Sequence, residues 1–332
     1  MLLLLAAALS CSKESVRTVG EARERVDILF RSSSSATKSG IALSGPDMKV
    51  NTLDVLVFRA ASDHSGALDA IGHSTFNEVT VSVTKGVRLS CRFVANAPEG
   101  AFSQVTTEAQ FLSAVSLLAD NTPTGMLMVG EFEDSFSASE SSPVVDLSFV
   151  SSKVVLDSVE PRFAEGYVLS SGITMDRAYL INVNGSLTYS LSPAATEVWH
   201  NKMQRETDLS SALSVLLEKE LNVSVTSSSK KDVGVTLYCY PNTVNNGVTS
   251  LTTPLWSPRN TRLVLEMTIG GEKNYYPVTL PAIMPGKMYR ITDLVLLGFG
   301  SPSPDIPVER NAMRFSIDVN DWGETSQDVV LE

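Results

Sequence analysis

The sequence offers few side chains that could carry out catalysis. Its three histidines, His64, His73 and His200, are far apart, and no pair has the spacing typical of a metal site. It contains no G-x-S-x-G motif, which exposes the nucleophilic serine in many hydrolases. Gly298-Phe299-Gly300 lacks the third glycine of a phosphate-binding loop and is followed by prolines. We therefore predict that the protein is not an enzyme and holds no cofactor.

One acidic stretch has a faint likeness to a calcium-binding loop. Residues 318–323 read D-V-N-D-W-G, but Trp322 stands where a ligand is needed. Because an indole ring supplies no oxygen ligand, we predict no metal there. The remaining Asp and Glu residues are most simply interpreted as solvated strand faces.

The overall charge excludes one class of partner. The 332-residue chain carries 26 Lys and Arg against 37 Asp and Glu, a formal net charge of -11. A chain this acidic has no electrostatic basis for binding nucleic acid. With 43% apolar residues, it is long enough for two ordinary domains or for one large β domain.

The first eleven residues, MLLLLAAALSC, indicate export. Residues 2–9 are apolar, too short a run to span a bilayer and typical of the hydrophobic region of an export signal. Ala8-Leu9-Ser10-Cys11 resembles a bacterial lipobox, which predicts a lipidated (palmitate-bearing) Cys11; an ordinary secretory signal is the alternative. Because no Lys or Arg precedes the apolar run, we expect the natural start to lie upstream.

Two further cysteines, Cys91 and Cys239, lie in strand-like patterns far apart in the sequence. Buried free thiols are the default interpretation of such residues. A disulfide between them is the alternative in an oxidising compartment.

A first strand and an exposed loop are predicted near the N-terminus. Val26, Ile28 and Phe30 alternate with other residues, which gives the strand one apolar face. Residues 32–40 are rich in serine and cannot pack a core, so they predict a surface loop. Loop tips of this kind are where proteases cut folded proteins.

The rest of the chain is predicted to be mainly β. Residues 53–58 are apolar enough for a strand buried on both faces. Thr107 and Gln110 form a potential capping box for a short helix. The other predicted elements are a hairpin over 79–93, two strands within 144–156, strands over 178–183, 233–240 and 288–297, a hairpin over 263–278 around Gly270-Gly271, and a helix over 207–221.

A strand with one apolar face is predicted close to the C-terminus. It follows a proline-rich linker over residues 298–307. Side chains alternate along a strand, so its apolar residues share one face. These residues are Met313, Phe315, Ile317 and Val319. The alternative is a last strand that folds back into its own sheet.

These elements predict a mainly β protein with two β-sandwich-like (transthyretin-like) domains and a few short helices. A break at Pro161 suggests a domain boundary near residue 160. The expected divisions are a lipoprotein signal over 1–11, a leading segment with the first strand over 12–38, an N-terminal sandwich over 39–160, a C-terminal sandwich over 161–300 and a terminal strand region over 301–332.

Several segments resemble the fimbrillin family of Bacteroidales, the subunits of the protease-assisted type V pilus. At the C-terminus the match is Met313-x-Phe315-x-x-x-Val319-x-x-Trp322, followed by Gln327-x-Val329. The internal segments that match are FVANAP at 93–98, MVGE at 128–131, LYCYPN at 237–242, YYPV at 275–278 and KMY at 287–289. With the lipobox, the resemblance extends over nearly the whole chain.

The resemblance implies an assembly mechanism. The lipoprotein travels to the outer membrane, where a trypsin-like surface protease cuts the loop after the first strand. Residues 12–38 would then be a propeptide, with Val26, Ile28 and Phe30 on the removable strand. The vacated groove accepts the C-terminal strand region of another pilus subunit by β-augmentation. The implied donor residues are Met313, Phe315, Ile317, Val319, Trp322, Val329 and Leu331.

The family places an arginine at the cut, and this chain departs from that pattern. The matching loop position holds Lys38, and Arg31 stands at the end of the first strand; both are candidate cleavage residues. The implied role is a stalk subunit of a surface fimbrium that supports adhesion and colonisation. The alternatives are a basal anchor or tip adhesin of the same pilus. A third alternative is a surface lipoprotein that binds glycans, in which Trp199, Trp256 and Trp322 would form the sugar-binding surface.

Overall fold

The computed structural model describes residues 24–33, 49–60, 66–137, 142–163, 172–195, 197–226, 228–244, 256–309 and 311–322. Cys11, Lys38, His64, Gln327, Val329 and Leu331 lie outside these ranges. No helix among the described residues is long and apolar enough to cross a membrane.

The described residues form twenty strands and a few short helices. In the first half the strands are β1 (Arg25–Ser33), β2 (Leu53–Arg59), β3 (Leu68–Ser74), β4 (Glu78–Thr84), β5 (Leu89–Ala95), β6 (Val115–Leu117), β7 (Met128–Asp134), β8 (Val144–Asp146) and β9 (Ser148–Phe149). In the second half they are β10 (Ser152–Pro161), β11 (Ile173–Ile181), β12 (Val183–Asn184), β13 (Ser186–Thr188), β14 (Trp199–His200), β15 (Glu218–Val225), β16 (Lys231–Cys239), β17 (Arg262–Ile269), β18 (Glu272–Thr279), β19 (Lys287–Leu296) and β20 (Met313–Asp321). The helices are α1 (Glu108–Ser113), α2 (Ser211–Leu217) and a 3-10 turn at Leu118–Asp120.

The first half is built from two sheets that face each other. One has the order β4-β1-β8 and the other the order β3-β2-β5-β7-β9. Phe30 of β1 contacts Phe93 of β5 with ring centroids 5.4 Å apart, so the two sheets share one interior. Gly72 of β3 permits a close approach, because a Cβ there would lie 2.6 Å from Val81 and 2.9 Å from Val79 of β4.

The second half repeats this arrangement with two four-stranded sheets. Their orders are β16-β10-β19-β20 and β15-β11-β17-β18. A short pairing of β6 with β13, with Leu187 opposite Ser116, connects the two halves. The fold is therefore mainly β with two sandwich-like halves, and the predicted fold class is confirmed.

Several local predictions are also confirmed. Thr107 and Gln110 form a complete capping box at α1. Residues 53–58 are all buried in β2. The glycine pair Gly270-Gly271 joins β17 to β18, which pair antiparallel.

Other local predictions are wrong. Residues 79–93 do not form a hairpin, because β4 pairs with β1 whereas β5 pairs with β2 and β7. The helix expected over 207–221 covers only Ser211–Leu217, and β15 begins at Glu218. Residues 144–156 contribute to three strands rather than two.

The sheets change partners ahead of the boundary expected near residue 160. Strand β10 ends at Pro161 and pairs with β16 and β19, both from the second half. Pro161 therefore ends a strand inside the second unit instead of separating the units. We place the division before Ser152.

Candidate functional site

Strand β1 is the central strand of its sheet. It pairs antiparallel with β4 from Arg25 opposite Thr84 to Arg31 opposite Glu78. On its other edge, residues 31–33 pair in parallel with residues 144–146 of β8. Removing β1 would therefore leave a slot with hydrogen-bonding edges on both sides. Such edges are what an added strand requires.

The inward face of β1 fills the interior of the first half. Ile28 and Phe30 are fully buried, and Val26 is nearly so. The Phe30 ring lies edge-on to Phe93 at 5.4 Å and to Phe136 at 5.7 Å. Burying side chains of this size stabilises by about 1.5 to 3 kcal/mol each. The sequence alternation had placed all three on one face, as the structure does.

Polar contacts fasten the start of β1. The Asp69 carboxylate lies 3.5 Å from Arg25 and 3.0 Å from Arg59, and its side chain has no exposed surface. It also accepts hydrogen bonds from the Thr84 hydroxyl at 2.6 Å and from the Thr84 N–H at 2.8 Å. Burial raises the pKa of Asp69, but the hydrogen bonds from Thr84 and Arg59 outweigh it, and the pKa falls below its usual value.

The two candidate cleavage residues stand in different positions. Arg31 lies within β1, where its backbone pairs with both β4 and β8. Its side chain is half-exposed and forms an ion pair with Glu78 at 3.2 Å. A protease that needs an extended, unpaired substrate would have to open this strand first. Lys38 lies in the segment between residues 33 and 49, outside the described residues.

Strand β20 is the edge strand of its sheet and pairs only with β19. Ile317 and Met313 are half-buried against the core, whereas Phe315 is 36% exposed and Val319 47% exposed. The four predicted apolar residues do share one face, but much of that face is in solvent. A strand held along one edge and half-covered is easier to detach than an interior strand.

Trp322, directly after β20, occupies an aromatic socket. It is 2% exposed and stacks on Phe149 at 4.0 Å and on Tyr238 at 5.6 Å. Its backbone N–H donates to Gly286 at 2.8 Å, whereas the indole N–H has no hydrogen-bond partner. An unpaired buried donor costs about 1 to 3 kcal/mol, which offsets part of the stacking.

A buried charge cluster fixes the linker that leads to β20. Asp305 accepts hydrogen bonds from Arg259 at 2.9 Å, Arg262 at 3.1 Å and Asn182 at 3.2 Å. All three charged side chains are almost completely buried. Burial also lowers the pKa of Arg262 despite the nearby carboxylate. The sequence predicts a proline-rich linker here but does not indicate this anchor, because the arginine partners of Asp305 are more than forty residues away.

The described histidines and cysteines stand apart from one another. No group of three or more His, Cys, Asp or Glu side chains is placed to hold a metal in the part of the chain described. Cys91 and Cys239 are free and buried, and burial raises the pKa of each thiol to about 12. His73 pairs with Asp54 at 2.8 Å, and His200 is half-buried in β14.

The three tryptophans do not form one platform. Trp322 lies in its socket, while Trp199 and Trp256 meet edge to face at 5.7 Å. The guanidinium of Arg259 lies over the Trp256 ring at 5.2 Å. One side of the Trp256 ring is therefore covered by Arg259 and is not open to a sugar.

Comparisons with known proteins relate part of the chain to one family and most of it to one fold. Residues 26–160 match the family model of the major fimbrial subunit protein (FimA). The match begins within β1 and ends in β10. The resemblance to the fimbrillin family is confirmed. No curated protein matches the chain in a sequence search.

Solved structures share the fold of this fimbrillin-like chain over most of its length. A fimbrillin of Porphyromonas gingivalis W83 is 12% identical, with a TM-score of 0.62, covering 91% of this chain and 99% of that one. A proposed cell adhesion protein of Bacteroides eggerthii DSM 20697 is 21% identical, with a TM-score of 0.66, covering 90% and 97%. The tip fimbrial protein Mfa3 of P. gingivalis is 13% identical, with a TM-score of 0.52, covering 90% and 100%.

The matched family model describes a major fimbrial subunit protein. The solved structures, all under 25% identical, show the shared fold.

The Asp69 contacts predict a pH-dependent contribution to stability. Because the pKa of folded Asp69 lies below the unfolded value of about 3.9, its carboxylate stabilises the fold above that pH. This contribution disappears as the pH falls through the folded pKa. We expect Asp69→Asn to lower the free energy of unfolding by about 1 to 3 kcal/mol at pH 7. Urea unfolding at pH 7 and pH 3 should show a smaller loss at pH 3.

The control is Asp27→Asn, at an exposed position on the outer face of β1. It should change stability by no more than about 0.5 kcal/mol at either pH. An Asp69→Asn loss of equal size at pH 7 and pH 3 would contradict the assignment.

The linker anchor predicts a large effect of a small change. Asp305→Asn would leave Arg259 and Arg262 buried without their counter-charge, so we expect a loss of about 3 to 5 kcal/mol. Urea unfolding at neutral pH measures it. Asp318→Asn, exposed on β20, is the matched control and should cost no more than about 0.5 kcal/mol. A loss below about 1 kcal/mol for Asp305→Asn would show that the cluster does not fix the linker.

Proposed function

We propose that this chain is a pilus stalk subunit that polymerises by strand exchange. It is exported as a lipoprotein through Cys11, cut in the loop after β1 by a trypsin-like surface protease, and freed of residues 12–38. The slot left by β1 then receives the C-terminal strand of another copy or a related subunit. The resulting fimbrium supports adhesion and colonisation.

The position of β1 is the observation that carries this proposal. It is a central strand that pairs with β4 along one edge and with β8 along the other. Losing it would expose the apolar interior around Phe93 and Phe136. An empty slot of this kind binds an apolar strand through backbone hydrogen bonds and side-chain pockets.

Cleavage controls the exchange through effective concentration. While β1 is joined to the rest of the chain, it competes for its slot as an intramolecular occupant. Cutting the loop removes that advantage, so β1 can dissociate and be replaced. The uncut precursor is thereby kept from polymerising early.

The donor is proposed to be the arm that follows Asp305. Strand β20 pairs along one edge only, and two of its apolar side chains are partly in solvent. The buried cluster at Asp305 fixes the root of the arm to its own subunit. Residues after it, including β20 and the proposed donor residues Val329 and Leu331, can then reach a neighbour.

Other roles within the same pilus remain as alternatives. A basal anchor would keep the lipid on Cys11 and resist cleavage, and Lys38 in place of arginine leaves this role open. A tip adhesin would need no donor strand, which the apolar face of β20 argues against. A surface glycan-binding lipoprotein is supported least, since Trp322 packs in a core and Arg259 covers one side of Trp256.

Donor function predicts that carboxylates on the apolar face of β20 block assembly. Phe315 and Val319 are partly exposed in the monomer, so Phe315→Asp with Val319→Asp should leave the fold intact. In a neighbour's slot the same carboxylates would be buried without partners, which costs several kcal/mol. We expect a folded monomer by circular dichroism and no multimers by size-exclusion chromatography.

Ser316→Asp, on the opposite and exposed face of β20, is the control and should polymerise as the wild type does. Normal polymers from the double variant would rule out β20 as the donor.

The cleavage step predicts a new N-terminus. Brief trypsin treatment of the folded chain should cut after Lys38 and leave the rest intact. N-terminal sequencing of protein taken from the cell surface should then begin at Ser39. Lys38→Gln should abolish this cut, whereas Arg31→Gln should not, because Arg31 lies in a paired strand. Surface protein that keeps a lipidated Cys11 would instead identify a basal anchor.

A further inference from the structure

We infer that β20 of a second copy enters the slot in the direction opposite to that of the β1 it replaces, with Ile317 in the place of Ile28. This inference rests on the proposed strand exchange and specifies its register. In this register Phe315 occupies the place of Phe30, and Val319 the place of Val26.

The two strands carry nearly the same side chains in reverse order. From N- to C-terminus, residues 26–31 of β1 read V-D-I-L-F-R. Read backwards from 319 to 314, β20 is V-D-I-S-F-R, identical at five of the six positions. The difference is Ser316 in place of Leu29, which is only half-buried on the outer face of β1. The three buried apolar side chains of β1 are therefore present on the donor at the required spacing, and Met313 would take the place of the buried Ser32.

The deepest pocket distinguishes between the two possible directions. Phe30 is fully buried, between the rings of Phe93 and Phe136. In the reversed direction Phe315 supplies the same phenyl ring. In the direction of β1, with Ile317 again in the place of Ile28, Val319 would enter this pocket and leave it partly empty. Phe315 would then overfill the small site of Val26. Interiors tolerate neither voids nor overpacking well.

Charges on the outer face agree with the reversed direction. Arg31 pairs with Glu78 at 3.2 Å, and Arg314 of the second copy would take over that contact. Asp318 would stand where Asp27 stands. Asn320 would face the site of Arg25, and Asp69 would keep its bonds to Arg59 and Thr84.

The backbone permits the reversal. Turning a strand by 180° about the sheet normal keeps its inward side chains inward and presents hydrogen-bonding groups to both neighbours. The donor would then pair in parallel with β4 and antiparallel with β8, the converse of β1. Parallel pairing is slightly less stable per residue, and the matched pockets must outweigh that difference.

Disulfide cross-linking between single introduced cysteines can measure the register directly. In the uncut chain Asp27 lies opposite Ser82. In the reversed register the residue opposite Ser82 is Asp318 of the second copy, whereas in the direction of β1 it is Ser316. Ser82, Ser316 and Asp318 are all exposed, so cysteines there should not disturb folding. Opposed residues in paired strands are close enough for a disulfide.

The experiment uses the full-length chain with Cys11→Ser, which removes the one native cysteine outside the described residues; Cys91 and Cys239 are buried. Chains with Ser82→Cys are mixed with chains carrying either Asp318→Cys or Ser316→Cys, treated with trypsin, allowed to polymerise and oxidised. Non-reducing gel electrophoresis then measures cross-linked dimers. As a positive control, Asp27→Cys with Ser82→Cys in one uncut chain should form an intramolecular disulfide.

We expect at least a tenfold excess of dimers with Asp318→Cys over Ser316→Cys. Dimers mainly with Ser316→Cys would overturn the reversed direction and leave strand exchange in place. If the chains polymerise but Ser82→Cys cross-links with neither Asp318→Cys nor Ser316→Cys, the proposed register is wrong, although polymerisation itself stands. Failure of the cut, otherwise wild-type chain to polymerise would overturn the proposed function, and this inference with it.

Discussion

The interior of the N-terminal half depends on three side chains of β1. Val26, Ile28 and Phe30 close a space that β4, β8 and the facing sheet otherwise leave open. That interior could have been closed by a strand from the middle of the chain. Instead it is closed by β1, which is followed in the sequence by the serine-rich residues 32–40. The contacts that stabilise this half are thus the same contacts that the proposed removal of β1 would break.

The C-terminal half has the complementary construction. Its sheets are complete without β20, which adds to one edge. The linker that leads there is held by Asp305 between two buried arginines. A buried ion pair of this kind is costly to form and costly to break. It therefore separates a fixed body from an arm, and the arm carries apolar side chains that its own subunit covers only in part.

Alternation and local motifs made much of this fold predictable. The inward face of β1, the buried residues 53–58 of β2, the glycine turn between β17 and β18 and the capping box of α1 each depend on a few neighbouring residues. Pairing between strands that are far apart in the sequence does not depend on a few neighbouring residues. Thr84-Lys85-Gly86 looks like a hairpin turn, yet it carries the chain from one sheet to the opposite one. The role of Asp305 could not be predicted from its neighbours in the sequence, because it depends on contacts with the distant Arg259 and Arg262.

The socket of Trp322 lies where the two halves meet. Phe149 belongs to β9 of the first half and Tyr238 to β16 of the second, and the indole stacks on both. If strand exchange occurs as proposed, a subunit that extends its arm to a neighbour would withdraw the Trp322 ring and expose Phe149 and Tyr238 to water. The contact between its two halves would then be weakened when the subunit joins a fibre. Flexibility of the assembled filament would in that case originate within each subunit as well as between subunits.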